Sequence, residues 1–270
     1  MTHDSQMRVQ TRSGTFAVAL DGPEDAPVLI FSNSLGTTLD MWDAQARHFA
    51  GRYRVLRYDT RGHGGSVVST GPYSFDQLGT DVIAIMDALA IERALFCGIS
   101  MGGHTGLWLA AHAAERMRGV AVCNSAARIG TAQAWHARAH AVRSGGAQAM
   151  RELADSAPQR WFTPAFIREQ TDVVRQAQDA LAAIDPEGYA ACCEALAESD
   201  LQDALATVGL PMLLVAGLHD PVTTVADAQA MQHALPGSVR VELPASHLSS
   251  IEAPGAFNRA LDAWLASVVA

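Results

Sequence analysis

The sequence predicts an α/β fold: a mostly parallel, doubly wound sheet of eight strands with a helical cap inserted between strands. Three observations predict it. Short apolar, β-branched runs recur along the chain and end in Gly, Asn, Asp or Ser, the pattern of parallel strands covered on both faces. Helical segments lie between these runs, so strands and helices alternate. One long stretch, residues 125–206, breaks that alternation.

Two strand-like segments open the chain, near Met7–Arg12 and Thr15–Leu20. The runs "PVLIFSNS", "YRVLRYDTRG", "ALFCGISMGG" and "GVAVCNSA" supply the next four strands, and "PMLLVAGLHD" and "SVRVELPASH" the last two. The segment "YSFDQLGTDVIAIMDALA" reads as a helix: Ser74 and Gln77 stand at capping-box spacing, and Leu78, Val82, Met86 and Leu89 mark one buried face. The last segment places Phe257, Leu261, Trp264, Leu265 and Val268 at helical spacing. The gap between Asn124 and Pro211 is Ala-rich and helical in character, punctuated by Pro158, Pro164 and Pro186. It is too long for a plain crossover. Residues 125–206 are therefore expected to form a cap over the carboxyl edge of the sheet, and residues 1–124 and 207–270 the core.

Composition bounds the function. With 49% hydrophobic and 17% charged residues, a chain of 270 residues can bury a large core. The formal net charge is −9 and no basic block occurs, which argues against a nucleic-acid surface. The same negative field repels anionic ligands, so an anionic substrate would need an arginine near the site. The opening "MTHDSQMRVQ" lacks the pattern of a signal peptide. No apolar run approaches the ~18 residues of a membrane span. Cys97 and Cys123 sit in apolar strand-like runs, while Cys192 and Cys193 are adjacent, with no metal-type spacing. Reduced, mostly buried cysteines and a cytoplasmic protein are expected.

The stretch "LFCGISMGGHTG" carries the chemistry. Gly-Ile-Ser-Met-Gly follows a predicted strand and opens a helix, the setting of a nucleophile elbow. Gly98 and Gly102 remove Cβ atoms where strand and helix approach, and Ser100 would sit at a strained φ/ψ with its hydroxyl presented. The plainer reading is a glycine-rich turn with a spectator serine. A serine needs a base, and "PASHLSSIEAP" places His247 just after the last strand. His104 and His112 on the elbow helix, and His136 and His140 in the cap, fit less well. An acid must hold the imidazole, and "VAGLHDPV" places Asp220 after the preceding strand, with His219 shaping the loop. The rival strand end offers Asn124, which cannot ionise, and Asp59 is the remaining competitor. The oxyanion donors are expected to be the amides of Met101 and Leu35, the latter in "FSNSLGTT", each worth about 2.7–4 kcal/mol in such sites. Ser34 either points into the site or caps its turn. "YDTRGHGGS" lacks the lysine and the glycine spacing of a phosphate loop. Asp59 and Arg61 are read as bracing a tight turn there, with the role of His63 open.

Together "FSNSLGT", "RYDTRGHGGS", "GISMGG", "GLHDPVT" and "SHLSSIEAP" resemble the α/β-hydrolase superfamily, and more narrowly the 3-oxoadipate enol-lactonases of the β-ketoadipate pathway. The resemblance covers nearly the whole chain, including "AARIGTAQAW" and "QRWFTPAF" in the cap. It implies the α/β-hydrolase fold, a Ser100–His247–Asp220 triad, no metal or organic cofactor, and a small anionic lactone with an acetate arm as substrate. The arm calls for a cation. Trp135 and Arg138 are three apart and share a helix face, Arg143 falls on the other side, and Arg128 is a further candidate. Trp161 and Phe162 are read equally as pocket walls or as core packing. Three rival activities share the triad and fold: a general carboxylesterase, a cofactor-free perhydrolase and a carbon–carbon bond hydrolase. A ligand-binding receptor on a hydrolase scaffold is the non-enzyme rival.

Overall fold

Alternation along each strand decides which side chain meets which layer. In the computed structural model, which describes residues 6–269, the strands are β1 (Gln6–Thr11), β2 (Gly14–Asp21), β3 (Val28–Ser32), β4 (Arg54–Tyr58), β5 (Ala94–Ile99), β6 (Met117–Cys123), β7 (Met212–Gly217) and β8 (Val239–Leu243). They form one sheet in the order β1-β2-β4-β3-β5-β6-β7-β8. β2 runs antiparallel to both β1 and β4, and all the other pairs are parallel. The order reverses between β3 and β5, so a crevice opens at their carboxyl ends, the usual ligand position in such sheets.

The helices divide between the two faces. They are α1 (Asp43–Phe49), α2 (Phe75–Ala88), α3 (Met101–His112), α4 (Ala132–Ser156), α5 (Pro158–Trp161), α6 (Pro164–Glu169), α7 (Thr171–Ala182), α8 (Pro186–Glu198), α9 (Val225–Ala234), α10 (Ser249–Glu252) and α11 (Pro254–Val269). Leu29, Phe31, Leu95 and Cys97 pack on one side with Trp42, Phe49 and Phe257, where Phe31 and Trp42 stack at 4.7 Å. Ile30 and Phe96, one residue out of phase, pack on the other side with Val82, Met86 and Leu107 of α2 and α3. The expected stripes hold at Leu78, Val82 and Met86 and at Phe257, Leu261, Trp264 and Leu265, which are buried, whereas Leu89 and Val268 at their ends are only partly buried. Ser74 accepts from the Gln77 amide at 3.1 Å and so caps α2.

Helices α4 to α8 all lie between β6 and β7, which are neighbours in the sheet. Pro158, Pro164 and Pro186 each open a helix, where a missing N–H costs nothing. Gly146, at φ 55°, breaks α4. The two ends of the excursion are tied together: Leu201 donates to the Ala127 carbonyl at 2.8 Å. His104 on α3 bonds the Ala126 carbonyl at 2.8 Å and Ser199 Oγ at 2.7 Å. Burial pushes His104 down to about 4, so it holds both ends as a neutral ring. On the far side α8 lies directly on the turn after β4, since a Cβ on Gly188 would stand 2.3 Å from the Gly62 carbonyl. Among the described residues no helix is long and apolar enough to cross a membrane.

Candidate active site

Ser100 closes β5 and caps α3 with φ 57° and ψ −117°, a conformation that costs a non-glycine residue roughly 1–3 kcal/mol. The surroundings hold it there. Its amide donates to the Cys123 carbonyl at 3.0 Å, and its carbonyl accepts from the His104 amide at 2.9 Å and from Ser125 Oγ at 2.7 Å. The flanking glycines leave no alternative: a Cβ on Gly98 would lie 2.2 Å from the Gly102 carbonyl oxygen, and one on Gly102 2.2 Å from that of Ser32.

His247 follows β8 and is buried, with Nδ1 2.8 Å from Asp220 Oδ2. A carboxylate only accepts, so Nδ1 carries the proton of this bond and Nε2 is the nitrogen turned away from the acid. Asp220 follows β7. Its Oδ1 accepts from the amides of Val222 and Thr223 at 2.8 and 3.1 Å, and its Oδ2 from Thr223 Oγ1 at 2.9 Å. Burial works to raise this carboxyl, but the charge of His247 and the hydrogen bonds from His247, Asn124 and Val222 outweigh it and hold it below the usual range. Asp59, the competing acid, instead accepts from the amides of Leu39 and Gly65, both at 2.8 Å, and braces two loops. Arg61 forks onto Asp81 at 2.7 Å and stays in the same brace.

The loop after β3 turns beside Ser100. Gly36 donates to His63 Nε2 at 3.0 Å and Thr37 to the Ser34 carbonyl at 3.2 Å. The Leu35 amide between them has no partner among the described residues. Met101 is the first residue of α3, where amides are left unpaired by the helix. His63 thus positions this loop, and burial keeps it neutral by pushing it down to about 4.

A cavity of about 200 Å³ opens here, lined by Ser34, Leu35, Ser100, Trp135, Arg138, Trp161 and His247. The arginine of Arg138 lies 4.9 Å over the Trp135 ring, as their shared helix face implied. Arg143, which diverges from Arg138 on the helix, does not line the cavity, because it forks onto Glu187 and Glu194 at 2.7 Å each. Arg128 pairs with Asp200 at 3.3 Å on the surface. Phe162 is buried against Phe166 at 4.9 Å and does not line the cavity. His112 bonds the Trp108 carbonyl and His136 pairs with Glu198, each within its own surroundings.

Sequence reasoning missed several residues. Arg160, Leu181, Tyr189 and Val222 also line the cavity. Nothing in their local spacing assigns them to the cavity, and only the packing of α5, α7 and α8 brings the first three there. Glu252 was missed too: it accepts from the Ser246 amide at 2.7 Å and from the Thr163 amide at 3.1 Å, joining the His247 loop to the start of α6. Asn124, buried at φ 42°, donates to Asp220 Oδ2 at 2.9 Å and to the Ser246 carbonyl at 3.1 Å, and accepts from Ser249 Oγ at 2.5 Å. It was noticed only as a group unable to ionise.

Comparison with known proteins agrees with this architecture. Residues 27–254 match the model of the alpha/beta hydrolase fold family. A protein named 3-oxoadipate enol-lactonase 2 from Acinetobacter baylyi is 52% identical over 242 residues, covering 90% of each chain. The 3-oxoadipate enol-lactonase 1 of the same organism is 41% identical, covering 99% of this chain and 100% of its own. The crystal structure of the enol-lactonase from Burkholderia xenovorans LB400 superposes with a TM-score of 0.93 at 41% identity, covering 96% of this chain and 100% of that one. The chain therefore belongs to the α/β-hydrolase fold family, alongside relatives named as 3-oxoadipate enol-lactonases.

Proposed function

We propose that this protein hydrolyses 3-oxoadipate enol-lactone to 3-oxoadipate in aromatic-compound catabolism, through an acyl-enzyme on Ser100. One observation carries the reading: a serine held at a strained elbow lines the same small cavity as His247, whose Nδ1 is bonded to Asp220. The names and identities of the relatives support the choice of lactone.

The chemistry follows from the groups. His247 Nε2 takes the Ser100 proton as Oγ attacks the ring carbonyl, and Asp220 stabilises the imidazolium that forms. The amides of Leu35 and Met101 receive the developing oxyanion. When the intermediate collapses, the ring oxygen leaves as an enolate, a far better leaving group than an alkoxide. It stays tethered and could re-close the ring, but ketonisation, with the proton that His247 gives back, removes it as a nucleophile. His247 then activates water to release the second carboxylate. Residues 125–206 act as the cap over this site, with Ser34, Trp135, Arg138 and Trp161 contacting the substrate. No cofactor takes part in these steps. The four cysteines are free, in keeping with a cytoplasmic enzyme.

The test is turnover of the enol-lactone beside simple aryl esters, with burst labelling by a serine-directed reagent. The expected result is a clear preference for the lactone, labelling at Ser100, and loss of nearly all turnover in a folded Ser100→Ala variant. A preference for aryl esters would point to a general esterase. Absence of labelling at Ser100 would point to a receptor.

A further inference from the structure

The candidate cavity has a larger neighbour. A cleft of about 550 Å³ opens between α7 and α1, within the ~300–1,000 Å³ of ordinary ligand pockets, whereas the cavity at Ser100 measures about 200 Å³. Met41, Ala44, Val173, Ala177, Ala180 and Ile251 give the cleft an apolar, half-buried lining. No lining residue is common to the two spaces, yet the same two segments border both. In the loop after β3, Ser34 and Leu35 line the cavity, while Thr37 and Thr38 line the cleft. On α7, Leu181 lines the cavity, while Val173, Ala177 and Ala180, which share a helix face, line the cleft. The two segments touch between the two spaces. Gly36 stands between Leu35 and Thr37, and a Cβ there would lie 2.6 Å from Leu181 Cδ1. Leu181 is buried at this contact.

We infer that Leu181, laid over Gly36, is the partition between the two spaces, and that it sets the upper length of ester or lactone the site admits. Gly36 has no side chain with which to fill the divide, and its backbone at φ 81° takes one only under strain. Tyr189 approaches the same point, with Cε2 3.3 Å from the Cβ position, but it lines the cavity side. The closing group is therefore the leucine. With it in place, a substrate chain that extends from Ser100 towards α7 is stopped there. Without it, the cavity runs on into a space more than twice its own volume. The α7 wall of that space, Val173, Gln176, Ala177 and Ala180, carries no charge, so the chain it would take is a neutral alkyl chain. The cleft also reaches the segment that follows the base. Ser250, soon after His247, lines it, and its buried Oγ has no hydrogen-bond partner among the described residues.

This inference rests on the reading of Ser100 as the nucleophile, and the test keeps the two apart. kcat/KM is measured for p-nitrophenyl acetate and p-nitrophenyl octanoate in wild type, Leu181→Ala, Leu181→Val and the double variant Leu181→Ala with Ala180→Trp. Wild type should favour the acetate. The octanoate-to-acetate ratio should rise about ten- to a hundredfold in Leu181→Ala. It should rise by less in Leu181→Val, whose smaller loss of volume keeps the test open if the alanine variant does not fold. In the double variant the indole on α7 refills the cleft, and the ratio should return towards that of wild type. This reversal separates a partition from a core merely loosened by the lost side chain, which filling the cleft would not mend. A folded Leu181→Ala with an unchanged ratio, or a raised ratio that Ala180→Trp leaves untouched, overturns the inference. A crystal structure of Leu181→Ala needs no turnover: the two spaces should be one, and a wall still standing between them overturns the partition. Should wild type hydrolyse neither ester and Ser100 resist phosphonylation, the proposed function falls and that structure alone decides the partition.

Discussion

Replacing Asn124 by Asp is the sharpest probe of the site's electrostatics. The change is isosteric, keeps an acceptor for Ser249, and suits the left-handed backbone at φ 42°, which Asn and Asp both tolerate. What it alters is charge. The amide donates to Asp220 Oδ2 at 2.9 Å, and His247 Nδ1 meets the same oxygen at 2.8 Å. A carboxylate at position 124 therefore stands within about 6 Å of the imidazole. At that distance and an effective dielectric constant of about 20, it favours the imidazolium by about 2.8 kcal/mol, about two pH units. Arg138 and Arg160, which line the same cavity as His247, and Glu252, which binds the neighbouring Ser246 amide, are unchanged. The acid limb of kcat/KM should thus move up by about one to two pH units, because a larger share of His247 is protonated and cannot act as base.

The same variant makes a second, independent statement. Two adjacent carboxylates cannot both ionise freely, so at least one folded-state pKa rises above the unfolded value of ~3.9. A group raised on folding favours the folded state below its unfolded pKa and loses that benefit as pH rises through the folded pKa. The urea midpoint of Asn124→Asp should therefore approach wild type near pH 4 and fall behind it towards neutrality. A folded variant with an unmoved acid limb, or a limb that moves down, would refute the placement of Asn124 on the acid's charge.

Two further outcomes follow from the geometry. Gly102→Ala puts a methyl 2.2 Å from the Ser32 carbonyl oxygen, so urea unfolding should show a loss of about 1–3 kcal/mol or more, together with reduced turnover; wild-type stability would mean that β3 and α3 are not closely apposed. Buried His63 is pushed from 6.5 down to about 4, so as pH falls through that window the unfolded chain takes the proton first and stability is lost. His63→Gln should flatten that fall between pH 6.5 and 4.5 and, by disturbing the Gly36 contact, lower kcat more than it changes KM; a parallel pH trend in the two proteins would contradict the buried neutral ring.

Much of the core was legible because its signals are local. The runs around Ile30, Phe96 and Leu214 are apolar on both faces, which only a covered parallel strand requires, and all three residues are buried. The elbow was legible because close approach demands glycine at Gly98 and Gly102 whatever surrounds them. Asp59 and Asp220 could not be separated by strand-end position alone. What distinguishes them is the partner, two loop amides for one and an imidazole for the other. Arg138 and Arg143 likewise differ only in their neighbours, since Arg143 meets Glu187 and Glu194 from another helix.

The sequence by itself determined the alternation of strands and helices, the strained turn at Ser100, and the positions of His247 and Asp220 at strand ends, because spacing and steric demand act over a few residues. The tertiary structure alone decided that Arg160 faces the cavity, that Asn124 bonds the acid, and that His63 holds the loop bearing Leu35. Those contacts depend on the order in which β3, β5, β6 and β7 lie side by side and on how α4, α5 and α8 settle above them. No local pattern encodes that, because each such bond joins segments that meet only once the sheet has twisted and the helices have packed.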